Sequence, residues 1–474
     1  MKAIIENTAF ESFSRKNVTL FILGVLLVFP ILFILKTSIG IKGVVILLGI
    51  ALGMVSVYNF YISLTILILL IFTPYFLAYH QVVYYTTFVF LAFLVNYKGH
   101  LKKELTLPIF LPYLIYCVTT IPSLINTPSL TKSLLDSYNL VAFFIASFTT
   151  LFMIDSHRKI LNLVYFFLFG VFVHSLIVIY LGLSSGERVF GLLNVFYVDL
   201  AGLAGINSFI LFIFLKGRKK VITGLVFIVS TFGLILTQTR NAWLSFAVAF
   251  ISFVIYLLIK GPSFNVKRSV IFVNALVSIA ILGVIFLYSS GLTSDIQQRF
   301  EVQTQTQEIV DQDPHSIAEN SLVSRFFIFH TAINAFVEHP YIGIGLYSFK
   351  YASKMYYTIP RSFYKYFVEN KTPHVTYLEV LTETGILGFI GFMVFLFALI
   401  KFIIKSLKTR GDDTDNIRTL LICWSFVYII FSMFMTEAWL YGQFIVWMGI
   451  LVGLLISNYN IITKKDEKRL DANR

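Results

Sequence analysis

Apolar runs of about 17 to 25 residues, the length that crosses a hydrocarbon core, follow one another along most of this chain. They fall at 18–35, 43–58, 61–79, 81–97, 107–125, 137–154, 160–182, 194–215, 220–237, 241–259 and 269–289, and again at 376–400, 417–435 and 441–457. The second and third are short and close together, so the pattern predicts about 12–14 spans. Backbone groups cannot stay unpaired in lipid, and runs this long satisfy them as helices. The expected fold is an all-α polytopic membrane protein.

One stretch, residues 291–375, interrupts the pattern. It divides the chain into N-terminal spans (1–290), a large polar loop, and C-terminal spans with a tail (376–474). Within the loop, Leu322, Phe326, Phe329, Ile333 and Phe336 recur at helical spacing, and Ser321 is a candidate N-cap. This predicts an amphipathic helix over 322–337 that lies on the membrane surface. His339-Pro340 ends it, and Gly343-Ile344-Gly345 allows a sharp turn or a close backbone approach. Tyr347 to Tyr357 is expected to form a second short helix.

Composition supports the membrane reading. The chain is 58% hydrophobic and 13% charged, against about 25% charged in soluble domains. The net charge of +13 raises the question of nucleic acid, but its distribution answers it. With alternating spans and a cytoplasmic N-terminus, 25 of the 37 Lys and Arg fall on the cytoplasmic side, as topology requires. Both termini are then cytoplasmic, and the large loop is extracytoplasmic. Cys117 and Cys423 both sit in apolar runs, which suits neither a disulfide framework nor a metal site. The first apolar run lacks the small-residue cleavage site of a signal peptide. Asp199 is the clearest acid within a span, and no internal repeat is visible, which argues against a transporter.

The topology brings four candidate groups to the extracytoplasmic face: Arg188 in a short connection, Arg240 at the junction of two spans, Arg325 on the amphipathic helix, and His374 before the next span. An arginine at a span junction faces water or an anionic partner, or snorkels to the headgroups. Thr372-Pro373 and the Thr376/Glu379 pair place His374 near a helix N-terminus. The positive end of the helix dipole favours the neutral imidazole, the form a general base needs. Glu379 and Glu383, one turn apart, could orient the histidine or bind a hydroxyl. Nearby tyrosines, Tyr377 among them, offer flat faces for sugar rings or form an interfacial belt. Guanidinium groups match phosphate bidentately. The residues themselves thus reach an anion site with a candidate base. Asp311 and Asp313 have Asp-x-Asp spacing but lie in an acidic patch, so neither a metal nor another cofactor is expected.

Three segments resemble the O-antigen ligase and O-antigen polymerase family of bacterial membrane glycosyltransferases. Arg240-Asn241-Ala242-Trp243-Leu244 resembles an Arg-x-x-x-Leu motif. Arg325 followed by His339-Pro340-Tyr341-Ile342-Gly343-Ile344-Gly345 is similar to the family's loop helix and turn. His374 through Gly385-Ile386-Leu387-Gly388 resembles its histidine motif, although Val375 stands where a small amide or hydroxyl residue is usual. The similarity runs over roughly residues 185 to 400. It implies a glycan donor on undecaprenyl pyrophosphate, transferred without metal and with inversion. Arg240 and Arg325 would hold the pyrophosphate, Arg188 would support them, and His374 would activate the acceptor. Glu379, Glu383, Tyr377, Gly343 and Gly345 would line the substrate. The implied reaction is ligation of polysaccharide to lipid A-core in the bacterial cytoplasmic membrane, or extension of a second lipid-linked glycan by a polymerase. A flippase of the same lipid or a non-catalytic assembly protein are the remaining classes.

Overall fold

The computed structural model describes residues 108–185, 189–191, 196–260, 321–409, 411–434 and 442–472. The first four expected spans, the one at 269–289, Arg188, and the loop up to residue 320 with Asp311 and Asp313 lie outside them. Among the described residues the regular elements are all helical. They are α1 (Phe110–Thr120), a 3₁₀ turn (Ile121–Asn126), α2 (Leu130–Met153), α3 (His157–Ser185), α4 (Phe196–Phe214), α5 (Gly217–Leu236) and α6 (Arg240–Lys260). The loop contributes α7 (Ser321–Glu338) and the short α8 (Phe349–Ala352). Three long helices follow: α9 (Thr376–Lys408), α10 (Asp413–Ser432) and α11 (Gly442–Ala472).

Eight of these, α2–α6 and α9–α11, are long and apolar enough to cross a membrane. Each overlaps an apolar run marked in the sequence. The run at 107–125 differs, because Pro122 lacks the amide that would continue the α ladder and the chain tightens into the 3₁₀ turn.

Close approach, not only apolar area, holds the bundle together. Gly449 and Gly453 of α11 lie against the carbonyls of Phe143 and Ser147 on α2, a small-residue contact of the kind that lets helices approach in lipid. The helices pack so that two distinct ends emerge. At one end, Asp199 in the first turn of α4 accepts hydrogen bonds from Ser432 (2.8 Å) and Tyr428 (3.5 Å) of α10. α4 begins at Phe196, which puts this carboxylate in the first turn of the span and not at its middle.

At the opposite end a buried ionic network ties three helices together. Asp415 caps α10 with Asp412, pairs with the fully buried Arg418, and lies 3.3 Å from His157 and 3.2 Å from Lys465. Removing one partner of a buried pair costs about 3–5 kcal/mol because it strands the other charge. Asp415→Ala should therefore lower the thermal midpoint of the solubilised protein, read by size exclusion after heating. An unchanged midpoint would show that the network does not stabilise the bundle.

Candidate active site

The loop is joined to the bundle by a backbone crossing. Helix α9 is interrupted at Gly385 (φ 65°, ψ −170°), a conformation open to glycine and strained for other residues. The interruption frees the carbonyls that end its first segment and the amides that begin its second. Those groups pair with the turn that follows α7. Ile344 and Gly345 donate to the carbonyls of Thr382 (3.2 Å) and Glu383 (2.9 Å). Ile386 and Leu387 donate to those of Pro340 (2.8 Å) and Tyr341 (3.1 Å). A Cβ on Gly343 (φ 71°) would overlap the backbone of Glu383, and one on Gly385 would overlap Tyr341. Two glycines stand here because two backbones cross.

Glu383 completes the joint. It is buried, and its two carboxylate oxygens accept the amides of Tyr347 (2.7 Å) and Phe349 (2.9 Å). Hydrogen bonds of this kind contribute about 0.5–1.5 kcal/mol each. Tyr347 itself has a left-handed backbone (φ 57°) and sends its side chain into the bundle core. From the other side, Thr127, Ser133 and Ser348 hydroxyls form a closed triangle at 2.6–2.9 Å. Asn126 donates to the Gly343 carbonyl at 2.8 Å. Lys350 pairs with Asp136 at 3.1 Å; burial works against its charge, but the carboxylate holds its pKa above the ordinary value.

The resulting frame presents two of the candidate groups. The segment between the π-helical turn Tyr364–Val368 and α9 carries left-handed residues at Asn370 (φ 60°) and His374 (φ 56°). Non-glycine residues in that region, and π turns, gather at functional sites. His374 is half-buried one residue before the Val375 cap of α9. The segment is anchored where Thr376 donates to the Met433 carbonyl at the end of α10 (3.1 Å). Arg325 lies in the second turn of α7. It is half-buried, and burial pushes its pKa below the usual guanidinium value. No carboxylate pairs with it among the described residues. Arg240 opens α6 immediately after a three-residue turn, in which Gln238 is left-handed (φ 48°). Antiparallel connection of α4, α5 and α6 puts that turn at the Asp199 end of the bundle, the end that also carries His374.

Residues 225–393 match the family model described as O-antigen ligase. This stretch, less than half of the chain, is similar to the O-antigen ligase family. No curated protein matches the chain.

The matched range takes in Arg240, α7, the backbone crossing and the start of α9, so this part of the chain is similar to enzymes that act on glycans. Other residues singled out from the sequence fall around this frame. Glu379 is buried in the first turn of α9. Tyr377 packs on Phe434 with ring centroids 4.3 Å apart, and its buried hydroxyl meets no hydrogen-bond partner among the described residues. Gly343, Gly345 and Glu383 are engaged within the chain: Gly345 abuts Thr127, and the other two form the joint. Among the described residues no three His, Cys, Asp or Glu side chains come together as a metal-binding group would.

Some residues of the frame carried no sequence signal. Asn126, Ser133 and Ser348 are ordinary hydrogen-bonding residues until the fold brings them together across more than 200 positions. Lys371 was one basic residue among several in the loop. Its neighbour Asn370, a residue type that tolerates left-handed backbone, was the available hint.

Proposed function

We propose that the protein is a metal-independent, inverting glycosyltransferase of the cytoplasmic membrane. It moves a glycan from undecaprenyl pyrophosphate to an acceptor hydroxyl on the extracytoplasmic face, joining polysaccharide to lipid A-core. In this reading both termini are cytoplasmic and residues 291–375 form the extracytoplasmic loop. One observation carries it: a half-buried guanidinium without a described counter-anion (Arg325) and a histidine at a helix N-terminus (His374) are held on one rigid frame inside the family domain. The outer face of α7 supports the placement. Phe326, Ile333 and Val337 are exposed, while Phe327, Ile328, Ala332 and Ala335 are buried against the loop core. A helix apolar on both sides suits a lipid surface.

The chemistry follows from these groups. The acceptor O–H gives its proton to an imidazole nitrogen of His374. The oxygen attacks the anomeric carbon from the face opposite the pyrophosphate. The carbon–oxygen bond to phosphate breaks, its electron pair leaves with the diphosphate, and the anomeric centre inverts. Arg325 and Arg240, with Arg188 in support, counter the charge that grows on the departing oxygens, an effect strongest in the transition state. Glu379 and Tyr377 border the acceptor side of His374.

The test is a reconstituted reaction with a lipid-pyrophosphate glycan and either core lipid or a second glycan-lipid as acceptor. A single product with core lipid fits ligation. A ladder with the glycan-lipid alone would assign the protein as a polymerase. Absence of transfer to both would reject the transferase reading. In the same assay Arg325→Lys should lose most activity, since a point charge replaces a bidentate fork. Full activity would remove Arg325 from the site.

A further inference from the structure

A second cation stands at Ser324, the residue before Arg325. Lys371 follows the left-handed Asn370 and precedes His374 by three residues. Its backbone amide donates to the Val368 carbonyl at 3.0 Å, which closes the turn after the π-helical residues. Its ammonium donates to the Ser324 hydroxyl at 3.3 Å and to the Tyr366 carbonyl at 3.1 Å. Ser324 is the residue before Arg325 and is itself fixed to the same turn through the Phe367 carbonyl (3.2 Å). The ammonium also faces the Phe367 ring, 5.9 Å from its centroid. The ammonium is therefore held against the start of α7 by neutral acceptors only. Burial lowers its pKa, and no carboxylate acts on it to offset that.

The contrast with the other loop lysines is informative. Lys350 is neutralised by Asp136. Lys354 and Lys365 are exposed and solvated. Lys371 is half-buried, as Arg325 is, and neither has an acidic partner among the described residues. Two partly desolvated cations on adjoining elements, next to the segment that presents His374, create a local excess of positive charge. A single monoanion would leave part of it uncompensated, whereas a diphosphate spreads charge over two centres.

We propose that Lys371 is a substrate-binding residue whose ammonium, with the Arg325 guanidinium, holds the diphosphate of a polyprenyl-linked donor. This rests on the reading that the donor is a lipid diphosphate. The lysine takes the role that sequence motifs left to arginines alone, and its short tether to His374 sets the distance between leaving group and base.

The test uses full-length protein in nanodiscs, titrated with undecaprenyl diphosphate and, separately, undecaprenyl monophosphate. The parent should prefer the diphosphate. Lys371→Ala and Lys371→Met should weaken diphosphate binding about tenfold and erase most of that preference. Lys371→Arg should stay within about threefold, and the exposed Lys365→Ala should bind as the parent does. The methionine variant keeps most of the side-chain length and removes the charge, so it answers for any packing defect in the alanine variant. If Arg325→Ala weakens diphosphate binding while both Lys371 variants bind normally, the proposal is overturned and the donor reading stands. Equal weakening for both lipids would also overturn it, because that marks a structural role. A parent protein without preference for diphosphate would overturn the donor reading itself.

Discussion

His374→Ala is expected to insert and fold as the parent does and to transfer glycan about 10²- to 10⁴-fold more slowly, the usual contribution of a positioned general base. The loss should appear in kcat, with donor affinity retained, because the cations proposed to bind phosphate are separate residues. The backbone at His374 is left-handed (φ 56°), a conformation that costs of order 1–3 kcal/mol for most side chains. It is sustained by its surroundings: buried Pro373 on one side and the Thr376 amide bound to the Met433 carbonyl on the other. Alanine inherits that strain, whereas asparagine occupies the left-handed region more readily. His374→Asn is therefore the cleaner variant. It keeps the segment in place and removes the basic nitrogen. Single-turnover transfer by purified His374→Asn at near-parent rate would show that another group takes the acceptor proton.

Gly343→Ala should be nearly as damaging for a different reason. The added methyl must occupy the space of the Glu383 carbonyl, part of a backbone that four inter-segment hydrogen bonds hold in place. The φ of 71° adds strain of its own. Relief requires the turn to separate from α9, which frees the Tyr347 and Phe349 amides from Glu383. We expect the helical bundle to persist while the loop loses its seat. Far-ultraviolet circular dichroism should stay near the parent, loop cleavage by protease between residues 341 and 372 should accelerate, and transfer should fall by more than about a hundredfold, since misplacing reacting groups by about 1 Å already costs that much. Parent-like protease resistance with full activity would mean the crossing is not what positions the site.

These two variants separate what was legible in the chain from what was not. The His-Pro-x-x-Gly-x-Gly turn and the histidine motif were both visible, and both pointed to one site. That the turn threads an interruption in the following helix was not visible, because α9 reads as one apolar run through Gly385. A single glycine in such a run is compatible with a continuous helix. Only the four waiting backbone partners on Pro340, Tyr341, Ile344 and Gly345 make the break favourable. Glu383 shows the same limit. Its spacing from Glu379 showed two acids one turn apart, but not that two loop amides donate to Glu383.

The sequence by itself determined the helical membrane architecture, the positions of the described spans, the loop helix α7 and the resemblance to the O-antigen ligases. All of these rest on local signals: hydrophobic length, helical period and short motifs read within a few residues of one another. Tertiary structure decided the seating of the loop, the left-handed setting of His374, the task of Glu383 and the meeting of Lys371 with the start of α7. Each depends on backbone groups or side chains that are distant along the chain and have no preferred partner until packing removes water and leaves one another as the remaining donors and acceptors.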